Sequence, residues 1–307
     1  MTRLVVFPGQ GSQHMGMGKE LAAHFRAARD VFDQVDEALG QSLFQLMTDG
    51  DEALLNQTEN TQPALLAVSL AIVTVLREEY GLDHLGSLYA GHSLGEYSAL
   101  TAAGVLDLAT AVRLVKKRGE AMTRAVPKGK GSMAAVLGGD PQKVKQLCAE
   151  QGVWVANWNC PGQVVISGDA KAIEFCIKGA KAYGFKRIIG LNVSGPFHSP
   201  LMIAAAEDMV DYMNDIDFHA PHTPIVTNVS GTISTDPAVL KDRLIQQITG
   251  QVAWEQSLHL AAEEGIDSQI EIGSGAVLTG LAKKTYPDWT RTTLHTPADI
   301  ETFMTEA

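Results

Sequence analysis

The stretch LGSLYAGHSLGEYSAL, residues 85–100, reads as a short apolar strand, a cramped turn carrying one serine, and a helix. At its centre Gly91-His92-Ser93-Leu94-Gly95 fits G-x-S-x-G, in which small flanking residues let the backbone turn sharply enough to hold the hydroxyl above the end of a sheet. A helix starting at about Ser93 adds the positive end of its dipole and a free N–H at Leu94. Both suit the oxyanion that forms when an acyl group is attacked. The pattern is that of a nucleophile elbow with Ser93 as the nucleophile. Three fixed positions also recur by chance in glycine-rich loops, and it is the strand before and the helix after that favour the catalytic reading.

Upstream, residues 3–7 (RLVVF) read as a buried parallel strand, followed by the glycine-permissive loop PGQGSQ at 8–13. The dinucleotide fingerprint fails here, because His14 stands where G-x-G-x-x-G needs its last small residue. The loop is better suited to bringing backbone N–H groups close to a reacting carbonyl. Residues 17–57 show helical periodicity. Thr61-Gln62-Pro63 then reads as the N-cap and early proline of a strongly apolar helix reaching about Tyr80, with Gly81 closing it. Strand, helices, strand and helix in this order imply a parallel sheet covered by helices.

Downstream, the helix expected from about Leu106 to Arg124 lays Ala111, Leu114, Val115, Arg118, Gly119 and Met122 on one stripe. Arg118 thus faces the interior, where a guanidinium requires an anion. A core ion pair, an arginine snorkelling outward and a ligand anchor all satisfy that pattern. Residues 131–193 then alternate as βαββαβ, the order of a ferredoxin-like unit, entered through the lysine-rich PKGKG segment. Asn157, Asn159 and Gln163 in this unit serve either as polar contacts to a ligand or as turn structure. Next comes SGPFHSP, residues 194–200, in which His198 is held between two prolines and is the best candidate for a base acting on Ser93. Strands at 224–229 and 268–272, and a helix begun at 273–275, return the chain to the larger core.

Composition narrows the classes of function. With 45% hydrophobic residues over 307 positions the chain can bury a large core, and its net charge of −11 disfavours nucleic acid and membrane surfaces as partners. The N-terminal apolar run is too short for a signal peptide or a membrane span, so a cytoplasmic protein is expected. Cys148, Cys160 and Cys176 lack C-x-x-C spacing and read as reduced thiols rather than a zinc site or disulfide framework.

With FPGQGSQ at 7–13, TQPALL at 61–66, GHSLGEYSAL at 91–100, Arg118-Gly119, Pro161-Gly162-Gln163, GPFHS at 195–199, and Gly275 with VLTG at 277–280, the chain resembles the malonyl-CoA:acyl carrier protein transacylases of dissociated fatty acid synthesis over nearly its whole length. The resemblance implies an α/β fold with a hydrolase-like parallel-sheet core, residues 1–126 and 195–307, and an inserted ferredoxin-like (βαββαβ) subdomain, residues 127–194. It implies Ser93 as nucleophile, His198 as base, Arg118 as anchor of the malonyl carboxylate, and the backbone N–H groups of Gln10 and Leu94 as oxyanion hole, with Gln10 and His92 beside the substrate. Malonyl-CoA and acyl carrier protein are the implied partners of a monomer that needs neither metal nor redox cofactor, coenzyme A thioester being a substrate.

The departures from the family pattern are Cys160, Ser274 and Ala253, the last where some members carry the glutamine region whose backbone carbonyl holds the histidine. The context around Phe197-His198 is also similar to malonyl-selective domains of polyketide synthases. A hydrolase on the same core and a non-catalytic acyl-binding module are the competing classes. The cationic residues Arg113, Lys116, Lys117, Arg124, Lys128 and Lys130 offer either a carrier-docking patch or a solvated helix face.

Overall fold

The computed structural model describes residues 2–306. In chain order the elements are β1 (Leu4–Phe7), α1 (Lys19–His24), α2 (Arg26–Leu39), α3 (Leu43–Asp49), α4 (Glu52–Leu55), α5 (Thr58–Glu78), β2 (Leu88–Gly91), α6 (Leu94–Ala102) and α7 (Leu108–Ala125). There follow β3 (Gly131–Leu137), α8 (Pro141–Gln151), β4 (Trp154–Cys160), β5 (Gln163–Asp169), α9 (Ala170–Gly179) and β6 (Arg187–Gly190). A 3₁₀ turn (Pro200–Met202) leads into α10 (Ile203–Met213), β7 (Ile225–Thr227), β8 (Thr232–Ser234), α11 (Pro237–Thr249), α12 (Trp254–Glu263), β9 (Ser268–Ile272), α13 (Val277–Thr285), β10 (Thr290–Leu294) and α14 (Pro297–Glu306).

The larger sheet runs β10-β9-β1-β2-β7-β8, parallel throughout except for the antiparallel edge pair β7/β8. Alternation along β1 explains why it is central. Val5 and Phe7 pack among the helices α2, α5, α6 and α7, while Leu4 and Val6 pack with Trp254, Leu258, Leu278 and Leu281 on the other face, so both faces of the strand are buried. The register sets Phe7 opposite Gly91, which brings the loops leaving β1 and β2 together at the carboxyl edge of the sheet.

The smaller sheet, β4-β5-β3-β6, is antiparallel throughout. Ala134 and Val136 of β3 pack under α8 and α9, and the alternate residues Met133 and Ala135 face a cavity between the two sheets. Backbone hydrogen bonds from Val252 N to Ala156 O (2.8 Å) and from Trp158 N to Val252 O (2.9 Å) join this sheet to the main body.

Several boundaries differ from the sequence expectation. Helix α5 starts at Thr58, one turn earlier than expected, so Pro63 lies inside it. Thr61 is not a cap: its side chain is buried and donates to Leu55 O at 2.6 Å. Helix α7 starts at Leu108, where Asp107 accepts from Thr110 N. Helix α13 starts at Val277, after the Gly273–Gly275 turn, because Gly273 and Gly275 adopt positive φ. Helix α5 is long and apolar enough to cross a bilayer, yet 89% of its most apolar window is buried inside the protein.

Candidate active site

The elbow forms where β2 ends. A Cβ on Gly91 would overlap the Gly95 carbonyl, and one on Gly95 would overlap the Phe7 carbonyl, so both glycines are required by close backbone approach. Ser93 sits between them at φ 52°, ψ −106° and caps α6. Asn228, just beyond β7, clamps the turn by accepting from Ser93 N at 2.7 Å and donating to Gly91 O at 2.6 Å. Among the described residues the only non-glycine positions with positive φ are Ser93 and His198. Backbone strain of this kind persists where surrounding structure over-determines it.

His198 reaches the serine from the loop before α10, which Ser199 braces by donating to Pro196 O at 2.6 Å. Its Nε2 lies 2.8 Å from Ser93 Oγ, and its Nδ1 lies 2.8 Å from Gln247 O and 3.2 Å from Gly250 O. Two carbonyls can only accept, so Nδ1 carries the proton and Nε2 presents a lone pair to the hydroxyl. Burial and the nearby Arg118 charge push the imidazole down to about 3, so it is neutral at ordinary pH. The carbonyls at the C-terminal end of α11 hold the ring. The sequence reading locates that support in the region of Ala253 and leaves the carbonyl open; Ala253 itself stands at the N-cap position of α12.

Arg118 is 1% exposed. Gly119 lets α7 approach the start of α5, since a Cβ there would press on the Glu59 backbone, and this brings Arg118 beside Gln62. The guanidinium donates to Gln62 Oε1 (2.8 Å), Gln247 Oε1 (2.7 Å) and Ser93 Oγ (3.2 Å), and it lies 5.3 Å from the Tyr97 ring centroid. Among the described residues no carboxylate lies within ion-pair distance of it, so the core ion pair that the helix pattern allowed is not formed. Its Nε has no hydrogen-bond partner. The arrangement orients a buried cation with no carboxylate in direct contact with it.

These groups line a cavity of about 290 Å³ together with Gln10, His92, Leu94, Asn157, Asn159, Gln163 and Phe197. A Cβ on Gly9 would overlap His92 O, so this glycine brings the Gln10 backbone against the elbow. Leu94 opens α6, where a backbone N–H has no acceptor within its own helix. The His92 ring is directed to the asparagines rather than to the Ser93 hydroxyl. Its Nε2 sits 2.9 Å from Asn159 Oδ1 and 3.3 Å from Asn157 Nδ2, and its ring packs near Trp254.

The cationic residues singled out in the sequence lie outside the cavity lining. Lys116 is bound to Gln41 and Asn60, Lys117 lies near Glu120, and Arg124 pairs with Asp208. Neither these residues nor Arg113, Lys128 and Lys130 line the cavity.

Sequence reasoning missed the polar layer beneath the site. Gln62, Glu96 and Tyr97 lie within motifs already noted, but their spacing alone gives them no role. Gln247 and Asn228 carry no signal in a single sequence, because the fold alone brings them to Ser93.

The model of the acyl transferase domain family matches residues 4–299. The malonyl CoA-acyl carrier protein transacylase of Bacillus subtilis is 48% identical over 91% of this chain and 89% of its own length. Among solved structures, an acyl-carrier-protein S-malonyltransferase from Bartonella henselae is 43% identical, with a TM-score of 0.96 over 100% of this chain and 99% of that one. A malonyl-transacylase solved in complex with its type II polyketide acyl-carrier protein is 39% identical, with a TM-score of 0.96 over the whole of both chains.

Proposed function

The chain belongs to the acyl transferase domain family, and from that premise we infer that it moves a malonyl group from malonyl-CoA to the thiol of an acyl carrier protein, supplying fatty acid synthesis. One constellation carries the reading at the level of atoms: Ser93 Oγ lies within hydrogen-bond distance of both a neutral imidazole and a buried guanidinium. The first activates a nucleophile, and the second is placed to hold a carboxylate on the acyl group that the nucleophile attacks.

In the first half-reaction His198 Nε2 takes the Ser93 proton as Oγ attacks the thioester carbonyl. The oxyanion faces the backbone N–H groups of Gln10 and Leu94. Collapse breaks the C–S bond, and the departing sulfur takes the proton back from His198, leaving O-malonyl-Ser93 and free CoA. The carrier thiol then gives its proton to His198, its sulfur attacks the ester, and Ser93 leaves with the proton restored. Arg118 holds the free carboxylate through both halves, and His92, fixed between Asn157 and Asn159, shapes the polar wall opposite. The proposed steps run on these side chains alone, with CoA as a substrate and no metal or redox cofactor.

Residues 127–194 are read as an inserted ferredoxin-like subdomain and residues 1–126 with 195–307 as the hydrolase-like core. The strand order β4-β5-β3-β6 with α8 and α9 on one face supports that division. A monomer is proposed, and a cytoplasmic location is proposed in keeping with three free cysteines. A polyketide carrier is the second reading for the acceptor, favoured by the likeness to the transacylase solved with such a carrier.

Intact-protein mass spectrometry tests the function. Malonyl-CoA should add one malonyl group, stable until carrier protein is supplied and then lost to it. Loss to water alone identifies a hydrolase, and no adduct at all identifies a binding module.

A further inference from the structure

Beneath the site lies a carboxylate that the transfer chemistry does not use. Glu96, in the first turn of α6, is 1% exposed. Its Oε2 accepts from Gln247 Nε2 at 2.6 Å, and both its oxygens lie 3.3 Å from Asn228 N. The same Gln247 side chain accepts from Arg118 Nη2 at 2.7 Å. One amide therefore separates a buried anion from a buried cation, and no cation touches the anion directly.

The surroundings isolate this pair. On α6 itself the neighbouring titratable group is Tyr97, pushed up to about 12 by burial and so neutral. Helix α7 contributes Arg118, α11 contributes the neutral Gln247, and β7 is followed by the neutral Asn228. Strands β1 and β7 carry no titratable side chain, β2 carries only Tyr89, and the charged residues of α5, Glu59, Arg77 and Glu78, lie at its ends. His198 and His92 are both shifted down by burial. Burial raises Glu96 to about 7, against the lowering effect of the Gln247 and Asn228 hydrogen bonds and the Arg118 charge, so its own charge can change near neutral pH.

We propose that Glu96 is the resident counter-anion of Arg118, and that it becomes a neutral carboxylic acid when a substrate carboxylate takes over the guanidinium. The inference rests on the reading of Arg118 as the malonyl anchor. In the empty site Glu96 balances the cation through Gln247. A malonyl carboxylate at the guanidinium puts two anions around one buried cation, and the resident one is relieved by taking a proton from solvent. Well below pH 7 Glu96 is already largely neutral and little uptake is needed. Above it, malonyl binding draws a proton and so weakens as pH rises, by up to about tenfold per pH unit. An acetyl group has no carboxylate and draws none. Glu96 is thus a positioning residue that keeps the empty anchor compensated and yields it to a carboxylate.

The test uses Ser93→Ala enzyme, which binds thioesters without turnover. Calorimetric titration at pH 8 in two buffers of different ionisation enthalpy counts the protons taken up. About one proton with malonyl-CoA, none with acetyl-CoA, and none with malonyl-CoA once Glu96→Gln is added is the expected result. Because Glu96→Gln leaves a buried amide N–H facing another donor and can fail to fold, the pH dependence of malonyl-CoA affinity in Ser93→Ala alone serves as the second measurement. Preference for malonyl-CoA over acetyl-CoA without proton uptake, or uptake that persists in the Glu96 variant, overturns the proposal for Glu96 only. Equal affinity for the two thioesters overturns the Arg118 reading and this proposal with it.

Discussion

Replacing Arg118 with alanine should separate two substrates that differ by one carboxylate. The guanidinium is fully buried and held by Gln62 Oε1, Gln247 Oε1 and Ser93 Oγ, all uncharged acceptors, so its charge is available to a ligand. Truncating one partner of a buried, hydrogen-bonded charge pair costs on the order of 2–5 kcal/mol, which is a loss of roughly thirty-fold to several-thousand-fold in kcat/KM for malonyl-CoA. Acetyl-CoA makes no such pair. Arg118 is also the second cause, after burial, of the low basicity of His198, so acetyl transfer in the variant should be unchanged or faster. Stopped-flow acylation with each thioester measures both values, in protein whose fold is confirmed by its unfolding transition. Lysine at 118 restores a point charge without the two-pronged hydrogen bonding and should fall between. Parallel losses for the two thioesters in folded Arg118→Ala would refute the anchor and return Arg118 to the scaffold.

Ser93→Ala should give no covalent malonyl adduct by intact mass; a retained adduct would mean another nucleophile. His198→Ala should slow acylation by about 10² to 10⁴, the usual range of general-base assistance, and a parental single-turnover rate would dismiss it as the base. Because the folded imidazole is depressed to about 3, Nε2 stays unprotonated as pH falls through the ordinary histidine range. The kcat/KM profile with acetyl-CoA, which reports free-enzyme groups, should therefore show no acid limb near pH 6.5, and such a limb would contradict the buried, cation-flanked geometry. Gly95→Ala puts a methyl group into the Phe7 carbonyl; overpacking of this kind costs about 1–3 kcal/mol or more, to be read as a lowered denaturation midpoint, and an unchanged midpoint would show the elbow to be more yielding than its contacts imply.

The elbow was legible in the sequence because its small residues and its nucleophile lie within five positions of G-x-S-x-G, whereas the Phe7 carbonyl and the Asn228 side chain that complete the turn come from elsewhere in the chain. Arg118 was legible for a similar reason, a charged residue on an apolar helical stripe. The βαββαβ order was read from alternating periods, and the boundaries of β9, residues 268–272, were found to the residue. Strands β8 and β10 were not found, since TIS and TRTTL lack an apolar run and owe their form to their sheet neighbours. The start of α5 was misplaced because Thr-Gln-Pro imitates a cap, whereas tertiary packing carries the helix a turn further back. Gln247 was invisible for a different reason. It holds His198 through a backbone carbonyl, which any residue can provide, and its side chain meets Arg118 and Glu96 only because the fold packs α11 against the His198 loop.

Val252, between α11 and α12, ties the smaller sheet to the main body through Ala156 and Trp158, and Cys160 of the smaller sheet packs into a core shared with Val226 of the larger sheet and Trp254 of α12. A joint of that kind should resist hinging, so that the walls of the cleft are expected to keep their spacing as ligands come and go. Donor and acceptor arms both end at Ser93, and a cavity of about 290 Å³ takes one arm at a time. The first arm must withdraw before the second enters, and the order of the exchange follows from steric exclusion rather than from a closing jaw. Hydrogen exchange at residues 156–158 and 252 that is unchanged on acylation would be its signature, and faster exchange there would reveal a hinge. On this geometry the exchange is expected to proceed by arms sliding along a bore whose width does not change.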